Sequence, residues 1–189
     1  MTVGTQPITA EEFERLALLP ENADRRLELV GGDIVEVVSN NYSSMVAARI
    51  LVKLGIFLES ADIAGYLTGA DGGYRVGDER YIPDVAFVSR SRQPAPSREA
   101  YNAIAPDLAV EVLSPSDQQD ILRLKLVNYL AAGTTVWVVN PDNQTVEVYT
   151  PGQRAYRLGP ADTLTGGDLL PGFALPVKDI FPQETKQEA

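Results

Sequence analysis

The sequence predicts a single domain of mixed α/β class, and three stretches carry that reading. Residues 106–132, PDLAVEVLSPSDQQDILRLKLVNYLAA, read by hydrophobic period as a strand, a tight turn and a helix. Residues 27–38, LELVGGDIVEVV, alternate apolar and polar on both sides of Gly31-Gly32, which is the pattern of a β-hairpin. Residues 42–60 instead place Met45, Val46, Ile50, Leu54, Phe57 and Leu58 at the spacing of one buried helix face. A length of 189 residues suits one domain with a sizeable core, and no internal repeat or low-complexity segment divides it.

In chain order, residues 9–12 have the T-x-x-E spacing of a capping box, so a short helix begins after Thr9 and ends near Pro20. In the hairpin, Leu27 and Leu29 share a face and leave Glu28 on the other. Glu28 is either an exposed residue of an amphipathic strand or a carboxylate with a task. Arg49 and Lys53, four apart on the long helix, read as its wet face. Residues 64–68 and 74–76 are short strands around the turn GADGG at 69–73. That turn lacks the G-K-[ST] ending of a P-loop and the spacing of a dinucleotide fingerprint. Residues 81–88, YIPDVAFV, form an apolar strand with one acid: Val85 and Phe87 share a face, Asp84 and Ala86 the opposite one. Asp84 either starts that strand after Pro83 or serves a site. The polar loop at 89–98 connects or touches a ligand.

In the strand at 107–113, Leu108, Val110 and Val112 point one way and Ala109 and Glu111 the other. The helix after it, about 118–132, is nearly apolar all round, which predicts that most of its circumference is covered. Lys125 stands there between Ile121 on one side and Leu122 and Tyr129 on the other. Further on, 134–139 is a buried strand and 145–149 its hairpin partner. Residues 156–158 and 162–164 are short strands or loops, 170–181 pack apolar side chains onto the body, and 182–189 form a frayed tail.

No run approaches the ~18 apolar residues of a membrane span and no signal peptide opens the chain, so a soluble cytoplasmic protein is the expectation. The absence of cysteine and histidine excludes disulfides, thiolate zinc sites, cysteine nucleophiles and any mechanism that needs imidazole. A metal here must be held by oxygen, which favours magnesium, manganese or calcium. The net charge of −10 argues against a general nucleic-acid coat protein. Residues 71–130 nevertheless hold seven of the sixteen basic residues, enough for a local basic rim.

Asp84 and Glu111 each lie in an apolar strand, with alanine (Ala86, Ala109) as the neighbour on the same face, and Lys125 lies in an apolar helix. Burying such a charge alone costs several kcal/mol, a cost usually kept for a site. Two carboxylates can hold a hard divalent cation, which acidifies bound water and polarises a phosphoryl oxygen. A lysine can orient or deprotonate that water, or neutralise charge developing on the phosphate. Phosphodiester hydrolysis fits this set. Ser114 and Ser116 sit in neither G-x-S-x-G nor S-x-x-K.

The pieces RLELVGGDIVEV (26–37), DGGYRV (71–76), PDVAFV (83–88), PDLAVEVLSPSD (106–117), and KLVNYLAAG with VWVVNP (125–141) occur in that order. With them the chain resembles the Uma-type restriction endonuclease family, within the PD-(D/E)XK nuclease superfamily, over nearly its whole length. The resemblance implies a restriction-endonuclease-like core, a central mixed sheet flanked by helices with extra hairpins, and a Mg2+- or Mn2+-dependent nuclease centre acting on DNA. It implies Asp84 as the aspartate of the PD motif, Glu111 as the acid of the second motif, Val112 as a backbone carbonyl ligand of the metal, and Glu28 as an additional acid. The superfamily's lysine normally stands two residues after the second acid, where this chain has Leu113; in this family it is moved to the following helix, and Lys125 matches it. A histidine common in relatives near the start of the second helix is replaced here, around Ser43. Two functions are then expected in competition: a metal-dependent DNA endonuclease, or a non-catalytic nucleic-acid-binding or assembly module on a degenerate nuclease fold. A homodimer is expected through the hairpin at 136–149, if that hairpin lies at a sheet edge.

Overall fold

One mixed sheet with two apolar faces organises the chain, because successive residues along its central strands feed separate cores. The computed structural model describes residues 7–114 and 118–182. The elements are α1 (Ala10–Ala17), β1 (Leu27–Val30), β2 (Asp33–Glu36), α2 (Asn41–Ser60), β3 (Gly65–Gly69), β4 (Gly73–Val76), β5 (Glu79–Tyr81), β6 (Val85–Ser89), β7 (Tyr101–Asn102) and β8 (Leu108–Val112). They continue with α3 (Gln119–Ala131), β9 (Thr135–Asn140), β10 (Thr145–Tyr149), β11 (Tyr156–Leu158), β12 (Thr163–Gly166) and β13 (Leu170–Pro176).

The six-stranded sheet has the order β11-β10-β9-β8-β6-β3, with β8 parallel to β9 and antiparallel to β6. The β8-α3-β9 unit supplies the crossover that a parallel pair requires. On one face Leu108 and Val110 pack with Val46, Ile50 and Leu54 of α2 and with Phe173 of β13. On the other, Ala109, Ala86 and Val136 pack with Tyr129 of α3 and with Tyr74 and Tyr81 of a five-stranded sheet ordered β2-β1-β5-β4-β7. The alternation expected for the strand at 107–113 is therefore realised. A third cluster places Phe13 of α1 edge-on to Tyr101, with ring centroids 5.5 Å apart. The capping box is complete: the Glu12 amide donates to Thr9 Oγ1 at 3.2 Å, and the Thr9 amide donates to Glu12 Oε2 at 2.9 Å. In the β1-β2 hairpin, Val30 pairs with Asp33 and both Gly31 and Gly32 have positive φ, the conformation that a two-residue turn of this twist requires.

Several expectations are corrected. The single strand expected at 81–88 is two: β5 pairs in the five-stranded sheet, β6 in the six-stranded one, and the chain crosses between them at Ile82-Pro83-Asp84. Proline lacks an amide to donate, so neither ladder continues through it. Helix α3 is only half covered. Lys125 and Tyr129 are buried, Leu124 lies against the Gly31 turn while remaining partly exposed, and Val127 is 63% exposed. Met45, expected on the buried face of α2, is 40% exposed, and that face is completed by Ser43 and Ala47. The hairpin at 136–149 is not an edge: β10 is covered by β11, which removes the stated basis for a dimer through it. Strands β7 and β13 were not expected. Among the described residues no helix is long and apolar enough to cross a membrane. Residues 115–117 of the expected turn and 183–189 of the expected tail lie outside the described residues.

Candidate active site

Strand alternation and one helical turn bring the site together. Glu28 leaves β1 on the face opposite Leu27 and Leu29, Glu111 leaves β8 on the face opposite Val110, and α3 lays Lys125 across the gap between the two sheets. Lys125 Nζ donates to Glu111 Oε2 at 2.8 Å and to Glu28 Oε1 at 3.0 Å, with Glu28 Oε2 at 3.3 Å. Glu28 is 3% exposed, which settles its two readings against the exposed one. Its Oε1 also accepts the Ile82 amide at 2.6 Å, so Glu28 grips the segment that crosses between the sheets. Two residues on, half-buried Asp84 accepts the Val112 amide on Oδ2 at 2.7 Å, which fixes it against the end of β8. Glu28, Asp84, Glu111, Val112 and Lys125 all line one cavity of about 220 Å3, walled by Val35 of the hairpin and by Ile121 and Leu122 of α3.

Two tyrosines belong to this centre and were passed over in the sequence. Tyr129 donates its hydroxyl to Glu111 Oε1 at 3.0 Å, so each oxygen of Glu111 has a donor. The Tyr81 ring lies 5.5 Å from Lys125 Nζ, within cation–π range, and its hydroxyl accepts from Asn128 Nδ2 at 2.7 Å. The usable signal was spacing: Tyr129 follows Lys125 by four residues and so shares its helix face. A tyrosine in an apolar helix otherwise reads as core. Ser43 is buried and donates to the Leu113 carbonyl at 3.0 Å, tying the start of α2 to the end of β8.

Burial holds the Glu111 carboxyl above the ordinary carboxylate range, up to about 7; Lys125 pulls it down, while Glu28 and Asp84 push it further up. Burial works against the Lys125 ammonium too, but Glu111 and Glu28 outweigh that effect and its pKa is raised. Burial and then the two carboxylates raise the Tyr129 phenol well above its usual value, so it stays a donor. Burial thus disfavours each charged form, and the close approach of Glu28 and Glu111 to Lys125 favours the ammonium between them.

Carboxylates that meet at one cavity suit a divalent cation. Among the described residues no group of three or more His, Cys, Asp or Glu side chains is placed to hold a metal. Asp84, Glu111 and Val112 line the same cavity, with Glu28 and Glu36 as its further acids. Magnesium is commonly held by one or two carboxylates, with waters and substrate phosphate completing its shell, so this set fits.

The Uma2 family, described as "Putative restriction endonuclease", matches over residues 10–178. The crystal structure of a "putative nuclease belonging to DUF820" from Anabaena variabilis ATCC 29413 is 26% identical to this chain and superposes with a TM-score of 0.80, covering 93% of this chain and 98% of that one. No curated protein matches the chain.

Proposed function

Since the chain belongs to the Uma2 family of restriction-endonuclease-like proteins, we propose that it is a divalent-metal-dependent endonuclease that hydrolyses phosphodiester bonds in DNA. The observation that supports this most is that Glu28, Asp84, Glu111 and Lys125, brought together from separate elements, share one cavity. Asp84, Glu111 and the Val112 carbonyl would hold Mg2+ or Mn2+, which when bound supplies an acidified water and polarises the phosphoryl oxygen.

The chain's own residues do the rest. Lys125, whose ammonium form its two carboxylates favour, orients Glu111 and offsets charge growing on the phosphate. Glu28 and Tyr129 hold Lys125 and Glu111 in place from opposite sides. Apolar Val35, Ile121 and Leu122 limit water around the reacting phosphorus and strengthen these electrostatic effects.

The charge of −10 favours a second reading, a non-catalytic binding or assembly module on the same fold. Supercoiled plasmid incubated with Mn2+ at low salt decides between them. Wild type should nick it, and Glu111→Ala and Lys125→Ala should not. Variants that cut as well as wild type, or a wild type that leaves the plasmid intact, would remove the enzymatic reading.

A further inference from the structure

Arg26, which directly precedes β1, and Glu28 within it are two residues apart, yet they line different cavities. Glu28 enters the one it shares with Lys125. Arg26 lines a second, of about 460 Å3, between the start of α2 and the turn after β3. Asp84 and Ser39 line both, so the two cavities meet at the aspartate to which the nuclease reading gives the metal. The walls of the second cavity are polar at Asn41 and Ser44, and its floor is small, with Ala47, Ala48 and Gly69.

Arg26 is the one cationic residue in this lining, and Asp84 the one acid. Its neighbour Arg25 is paired with Glu36 at 2.7 Å, and Arg75 and Arg80 are both paired with Glu14. Arg26, half-buried, has no ion-pair or hydrogen-bonding side-chain partner among the described residues. A guanidinium that lines a cavity without a hydrogen bond or ion pair to a side chain among the described residues is suited to an anion from outside.

We propose that this second cavity seats the phosphate that flanks the scissile one on the DNA strand, with Arg26 as its contact. A guanidinium matches the oxygens of a phosphodiester in a planar fork, which a lysine ammonium would not. The alanine and glycine floor leaves room for the attached sugar. The strand then runs across Asp84 from one cavity to the other, with its reacting phosphate above the carboxylates and the next one held by Arg26. The inference rests on the nuclease reading and adds to it a direction for the substrate.

Binding and cleavage of a short fluorescein-labelled DNA duplex test it, in wild type, Arg26→Ala, Arg26→Lys and Ser44→Asp, over a range of salt. Arg26→Ala should bind several-fold more weakly, and its plot of log affinity against log salt should be shallower by about 0.9, the slope of one phosphate contact. The loss should fall on KM more than on kcat, Arg26→Lys should recover part of it, and the rise in melting temperature with Mn2+ should persist. Ser44→Asp, which places an anion on the opposite exposed wall, should weaken binding independently. If wild type cuts the duplex while Arg26→Ala and Ser44→Asp bind it with wild-type affinity and salt slope, the cavity assignment is wrong and the nuclease reading stands. A wild type that neither binds nor cuts overturns both.

Discussion

Lys125 holds two carboxylates that come from different sheets, and its removal strands both of them in the interior. Breaking such a buried pair by deleting one partner typically costs about 3–5 kcal/mol. Urea unfolding of Lys125→Met at neutral pH should show a loss of that size, and the loss should shrink as pH falls and the carboxylates protonate. A Lys125→Met curve overlying wild type would contradict the geometry. Glu111 gives the complementary prediction in the intact, metal-free protein. Its folded pKa lies above its ordinary 4.5, at about 7, so the stability it confers is complete below 4.5 and is lost as pH rises through 7. The difference in unfolding free energy between wild type and Glu111→Gln should therefore decline across that window; a flat or rising difference would refute the shift. The carboxylates and the amine were legible in the sequence because each interrupts an apolar element. Tyr129 was not, because a phenol is at home in a core with or without a partner.

Helix α3 shows where pattern reading stops. Its hydrophobic residues go nearly all the way round, yet only the Lys125–Tyr129 side is buried, because the six-stranded sheet lies on one side and nothing described covers Val127. Period reports which faces are apolar and says nothing of whether a neighbour exists for each. Val127→Lys should accordingly change stability by no more than about 0.5 kcal/mol in either direction; a large loss in chemical denaturation would mean that this face is covered in solution. Tyr129→Phe, on the buried side, leaves Glu111 Oε1 without its donor and should cost about 1.5–3 kcal/mol, as hydrogen bonds to charged groups do. Its affinity for Mn2+ should fall as well, read by calorimetric titration. Pro83 misled in the other direction. A proline near the front of an apolar run reads as the start of one strand, and only the pairing partners show that the chain changes sheets there.

Across the molecule, the hairpin, the helices and the β8-α3-β9 unit were readable from local pattern, whereas the order of strands in each sheet was not. The pairing of two-residue β7 with β4 joins partners distant in the chain, and no local signal announces it, whereas β12 and β13 are neighbours across a short turn at 167–169 and only the glycine and proline inside β13 hid that strand. A metal at the proposed site would draw on both sides of the crossing segment, so its effect should register in the whole fold. At 100 times its dissociation constant a cation bound by the folded state alone adds about 2.7 kcal/mol, and Asp84→Asn should abolish the rise in melting temperature that Mn2+ gives wild type. Equal rises in the two proteins would place the cation elsewhere.

The ammonium that bridges β1 and β8 gives this domain an unusual economy. On the proposed nuclease reading one atom is both rivet and tool, which leaves the chain little freedom to tune its chemistry without loosening its frame. Drift at position 125 would then tend to remove the whole protein from use instead of leaving a sound but idle scaffold behind.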